Sequence, residues 1–156
     1  MKIRTHPELN RIAVKNNIDA PYVVWCVLRQ HTSTNNLSGH YNINDARRVC
    51  MTFGLNYTLR HWSRLWDSGN GLFWGIGQSS IHIRSFKRVY TALADDNATH
   101  VASADFITIQ PHKSHVARRS ELYWSWFYHR GEVTISRDSI SDLFGLSHDQ
   151  QRAKRS

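Results

Sequence analysis

Two copies of one short phrase, Phe53-Gly54-Leu55-Asn56 and Phe144-Gly145-Leu146-Ser147, constrain this chain more than any other feature. A glycine that ends one helix, an apolar residue packed beneath it and an Asn or Ser that caps the next helix together describe a helix-turn-helix. The likeness extends outward at the same offset, where Val49 aligns with Ile140 and Leu55 with Leu146. Each copy separates an apolar-periodic stretch from a polar one rich in Arg, His, Gln and Tyr. The chain is therefore expected to be mainly α-helical, with two such units in tandem.

Periodicity and punctuation place the other elements. Residues 19–31 open with Asp19 as a cap and an early Pro21, and Tyr22, Trp25, Cys26 and Arg29 recur at helical spacing. Residues 32–40 are polar and contain a glycine, so a loop is expected there. Asn44 is read as the cap of a helix that ends at Gly54. Asn56 is read as the cap of a third helix from Tyr57 to about Asp67, with Leu59, Trp62 and Trp66 on its apolar face. Ser68-Gly69-Asn70-Gly71 should break that helix. Residues 72–84 alternate in character around Gly77-Gln78-Ser79-Ser80 and predict a β-hairpin. A helix is expected over 85–94, where Phe86, Val89, Tyr90 and Leu93 share a face.

Residues 105–110 predict a strand ending at Pro111, and 115–130 a long helix with a dense aromatic face, closed by Gly131. A short extended piece follows, and Ser136 then caps a helix from Arg137 to Phe144 ahead of the second turn. The expected organisation is a first domain over 1–94, an acidic connector with a short strand over 95–111, and a second helix-turn-helix domain over 112–156. No hairpin follows the second turn. Either that module lacks a wing or the chain is a fragment of something longer, and the second account is preferred.

Charge points to the partner. The formal net charge is +8 and the isoelectric point near 9.9, which favours a polyanion. The excess is uneven: residues 1–90 carry 12 basic against 4 acidic side chains, 91–111 none against 3, and 112–156 carry 8 against 5. Two basic segments thus flank an acidic joint. The only two cysteines, Cys26 and Cys50, fall within apolar helical stretches and read as small buried hydrophobes of a reducing compartment. The amino terminus has no apolar run suited to a signal peptide, and no segment is apolar enough to span a membrane. A cytoplasmic setting in a prokaryotic or viral host cell is expected, with duplex DNA as partner, a homo-oligomer left open and no membrane partner.

A recognition helix offers its outward polar side chains to base edges and phosphates. In the first unit these candidates are Asn56, Tyr57, Thr58, Arg60, His61 and Arg64. In the second they are Ser147, His148, Gln150, Gln151, Arg152, Lys154 and Arg155, with Arg137 at the start of the preceding helix. The hairpin offers Gln78, His82 and Arg84. The tryptophans at helical spacing read as core rather than as base-stacking platforms. His112 and His115 are the only close histidine pair and lack further ligands at zinc-finger spacing, so no metal or cofactor is expected. No nucleophile–base pair, phosphate loop or catalytic carboxylate pair stands out, and a non-catalytic role is expected.

Three helices followed by a hairpin over 19–84, with the turn written Gly54-Leu55-Asn56, resembles a winged-helix domain. Gly145-Leu146-Ser147 within 136–155 resembles the helix-turn-helix signature in which Gly-Val-Ser links the helices. The pair is similar to tandem winged-helix proteins, a group that includes plasmid and phage replication initiators and transcription regulators. The resemblance implies two winged-helix or helix-turn-helix modules gripping successive major-groove segments of specific duplex DNA. Two other classes compete: the DNA-binding part of a nuclease or recombinase whose catalytic region is absent, and a helix-turn-helix module that binds protein.

Overall fold

The computed structural model describes residues 1–94 and 106–130, with side chains through Trp126. In chain order the elements are β1 (Ile3–Thr5), α1 (Pro7–Lys15), α2 (Asp19–Thr34), β2 (His40–Asn42), α3 (Ile43–Thr52), α4 (Leu59–Gly69), β3 (Trp74–Ile76), β4 (Ser80–Ile83), α5 (Phe86–Leu93), β5 (Ile107–Ile109) and α6 (His115–Arg130). The described chain is thus mostly helical with small antiparallel sheets. None of the described helices is long and apolar enough to cross a membrane.

The core is organised around α2, in which every residue from Pro21 to Leu28 is buried. A helix covered on all sides carries little amphipathic period, which is why its β-branched run also resembles a strand. Around it pack Leu9, Ile12 and Val14 of α1, Ala46 and Cys50 of α3, Trp62, Leu65 and Trp66 of α4, Phe73 just ahead of β3, and Ile81 of β4. Trp62 stacks on Trp66 at 5.2 Å between ring centroids, and Trp66 meets Trp74 edge-on at 5.1 Å. Trp25, Trp62 and Trp66 are core residues, as their helical spacing predicts, and Trp74 of β3 joins them, whereas Trp124, also expected in the core, is 37% exposed.

The turn between α3 and α4 is built on Gly54, whose φ of +86° is left-handed backbone that a side chain would strain. Leu55 beneath it is fully buried. The caps differ from expectation by two residues. Asn42, not Asn44, caps α3 by accepting the Asn44 backbone N–H at 2.9 Å. Thr58, not Asn56, caps α4 by accepting the His61 N–H at 3.2 Å. A cap bonds two or three residues ahead, so a polar residue just upstream of a helix competes with its neighbours for the role. α4 ends within Ser68–Gly71, as expected; Gly69 is its last residue, and a Cβ there would clash with the Trp74 ring. It is the bare backbone that lets the hairpin dock, with Trp74 Nε1 donating to the Trp66 carbonyl at 2.8 Å.

β3 and β4 form the expected hairpin, and β2 joins it on the far side, giving the antiparallel order β2-β4-β3. Within the stretch expected to be a loop up to His40 and the residues beyond it, β2 is only His-Tyr-Asn, and Tyr41 alone faces the core. Periodicity cannot show in three residues.

A second sheet pairs β1 with β5, Ile3 opposite Ile109. α1 had no counterpart in the sequence reading, although Pro7 at its first turn and Leu9, Ile12 and Ala13 at helical spacing mark it. α6 packs along α1 and reaches α2. Asp19, read as a helix cap, instead forms a buried ion pair with both Arg118 Nε and Arg119 Nη1, each at 2.7 Å. Arg119 also donates to the Val14 carbonyl at 3.0 Å. Asn10, itself buried, joins Thr5, Tyr22 and Ser125 by hydrogen bonds of 2.8, 2.6 and 2.9 Å. β5 and the described part of α6, which the sequence reading assigns to the connector and the second module, therefore pack against β1, α1 and α2. The helices and turn expected over 131–156 lie outside the described residues.

Candidate nucleic-acid interface

α4 is held by its apolar side. Trp62, Leu65 and Trp66 are buried, and Arg60, His61, Ser63, Arg64 and Asp67 are exposed. Arg60 and Arg64 make no ion pair with any described residue. Asn56 is exposed in the turn just before the helix. Thr58 is exposed too, but its hydroxyl is committed to the cap.

Tyr57 and His61 form a stacked pair with centroids 4.2 Å apart. The Tyr57 ring is half-buried and also meets Trp62 edge-on at 5.1 Å. Its hydroxyl accepts from Arg118 Nη1 at 3.4 Å. Burial pushes the Tyr57 phenol above its usual range. His61 is held below its ordinary 6.5, first by partial desolvation and then by Arg118, Arg64 and Lys113. Four cationic or neutral-basic groups therefore converge where α4 meets the start of α6.

This convergence adds residues that the sequence does not mark as DNA contacts. Lys113 and His115, just before and at the start of α6, are exposed, and the Lys113 carbonyl accepts from Arg118 Nη1 at 3.1 Å. The Asp19 pair anchors Arg118, and Arg118 in turn sets the Lys113 turn beside His61. Nothing local in the sequence could have indicated this, because the two segments are joined only by tertiary contacts. Leu59 is a second addition. The spacing puts it on the apolar face, but it is 70% exposed at the first residue of α4, while Leu65, further along the helix, is buried.

The hairpin candidates separate into three environments. Gln78 is exposed at the tip, next to Ser79 with φ of +56°. His82 is exposed on the outer face of the sheet and stacks flat on His40 of β2 at 3.9 Å. Desolvation, His40 and Arg88 all lower its pKa. Arg84 is half-buried and belongs to the framework: its carbonyl accepts from Trp25 Nε1 at 2.9 Å, and its guanidinium donates to the Gly71 carbonyl. Phe73 and Trp74, near the same hairpin, are fully buried.

Arg137, Ser147, His148, Gln150, Gln151, Arg152, Lys154 and Arg155 lie outside the described residues. Burial pushes the Cys26 thiol up to about 12 and Cys50 higher still, so both remain thiols. His112 reaches Glu121 at 3.9 Å rather than joining His115. Among the described residues no three His, Cys, Asp or Glu side chains are grouped to hold a metal. No protein-family model, curated protein or solved structure matches this chain.

Proposed function

We propose that this chain binds specific duplex DNA without catalysis, in replication initiation or transcription regulation on a plasmid, phage or similar element. The observation that carries the reading is the order α2, β2, α3, α4, β3, β4 with strands arranged β2-β4-β3. This order is compatible with the winged-helix reading, in which the second helix of the turn would enter the major groove with the hairpin beside it. α4 is that helix, and its exposed face is cationic where it would meet DNA. Arg60 and Arg64 suit guanine or phosphate, Asn56 suits adenine, and Leu59 suits a thymine methyl group. Gln78 at the hairpin tip and Lys113 beside His61 would extend the contact to the backbone. This reading assigns its second helix-turn-helix to residues 136–155, outside the described residues, with Gln150, Gln151 and Arg152 as the base-reading set.

Selection of bound sequences from a random duplex pool, followed by footprinting, tests the proposal. The expected result is one enriched motif and a footprint of about two helical turns, roughly 20 base pairs. Binding should fall steeply with salt as phosphate contacts release counterions. A protein-binding role predicts no salt-sensitive shift of DNA. A processing enzyme predicts loss of the labelled duplex when Mg²⁺ is added.

A further inference from the structure

A different part of the molecule gathers arginines around empty space. The end of α2, the loop from Asn36 to Gly39, the end of β4 and the first turn of α5 enclose an open groove of about 740 Å³. Arg29, Arg84 and Arg88 line it together with Ser33, Asn36 and Phe86, and no described lining residue is acidic. A smaller cavity of about 160 Å³ shares Arg29 and Ser33 and adds Arg4, again with no described acid. Like charges gathered without a carboxylate are costly unless an anion completes the site.

Arg29 is the organising group. Its guanidinium sits 4.9 Å from the Trp25 ring centroid and 5.2 Å from that of Phe86. The two rings hold the planar fork in place while it makes no hydrogen bond or ion pair with any described residue. Arg84 is anchored at Gly71 through one nitrogen and keeps further donors. Arg88 is exposed, and its position on α5 is set by the Ser85 cap at 3.3 Å. The Arg29 fork held between two rings, with the exposed Arg88 and a hydroxyl and an amide beside it, matches a phosphate group better than a single carboxylate.

We propose that this groove is a phosphate-binding site, separate from α4, that takes the phosphate of a nucleic-acid strand or of a free phosphate compound through Arg29 and Arg88, with Arg84 at its edge. The inference does not depend on the duplex-binding reading. A phosphate site of this kind would stand even if α4 bound nothing.

Calorimetric titration of the full chain with pyrophosphate tests it, with a single-stranded oligothymidylate as competitor. The expected result is saturable binding that Arg88→Gln weakens about tenfold, the effect of one charge-assisted hydrogen bond. Arg29→Lys, which keeps the charge but loses the fork, should weaken it comparably. The double variant Arg60→Ala, Arg64→Ala should leave pyrophosphate binding unchanged, which separates this site from α4. Competition by the oligothymidylate assigns the phosphate to a strand; its absence assigns it to a free compound. No binding of pyrophosphate, or equal binding by the unaltered chain and Arg88→Gln, overturns the proposal. Arg88 is exposed, so that variant decides the matter even if Arg29→Lys destabilises the fold.

Discussion

Arg118 and Arg119 of α6 and Arg60 and Arg64 of α4 serve opposite ends. Arg118 and Arg119 are 6% and 2% exposed and share the carboxylate of Asp19. Arg60 and Arg64 stand in solvent with no described acid to pair them. A buried guanidinium must be neutralised and hydrogen-bonded within the chain, whereas an exposed one is solvated by water and stays available. The first pair therefore holds α6 against α1 and α2, and the second leaves a positive face for an outside anion. Arg118 joins the two regions: its hydrogen bond to Tyr57 and its nearness to His61 carry the buried network to the edge of the exposed one.

Asp19→Ala should break the comparison most severely. It removes the carboxylate that two buried guanidinium groups share and should cost about 3–5 kcal/mol, read as a loss of urea midpoint. Replacing Asp19 with little change in stability would show that α6 does not depend on this pair. Gly69→Ala sharpens the comparison from the other side, because the added methyl meets the fixed Trp74 ring. A cost of roughly 1–3 kcal/mol is expected in the same measurement, with the hairpin loosened from α4.

The cations of α4 should behave in the opposite way. Arg60→Ala and Arg64→Ala should each leave the urea midpoint near its original value. Each should weaken specific DNA binding by about 1–3 kcal/mol where the side chain reads a base. Where it meets phosphate instead, the loss should be uniform across sequences and the salt slope should drop by about 1. Affinity and salt slope unchanged in both variants would remove α4 from the interface.

His61 gives the smallest effect, and pH reveals it. Its folded pKa lies below the ordinary 6.5, so the folded chain favours the neutral ring. Its contribution to stability is intact above that value and is lost as pH falls through 6.5 towards the lower folded pKa, because the unfolded chain takes up the proton first. Bound phosphate would reverse the preference, so DNA affinity should rise over the same fall in pH. His61→Gln should flatten both trends, and binding that is independent of pH in the unaltered chain would place His61 away from the phosphates.

Legibility in the sequence followed the range of the interaction. α3, α4 and α6 announce themselves by apolar spacing, and Gly54 by its place between two such runs. The exposed basic face of α4 follows directly from Trp62 and Trp66 facing inward. α1 carries the same kind of signal in Leu9, Ile12 and Ala13 and went unread beside the stronger pattern downstream. Caps were placed to within two residues, since Asn42 and Asn44, or Asn56 and Thr58, satisfy the same local rule.

The local chain thus determined which stretches are helical, where the turn with positive φ falls and which side chains of α4 point outward, because each depends on neighbours within four residues. Tertiary structure alone decided that Asp19 neutralises two arginines about a hundred positions away and that β5 completes a sheet begun by β1. It also placed Lys113 beside His61 and left Arg29 between two rings with no described acid lining its groove. Ion pairing and desolvation act through space, and a cation's partner, or its lack of one, is settled only when distant segments meet.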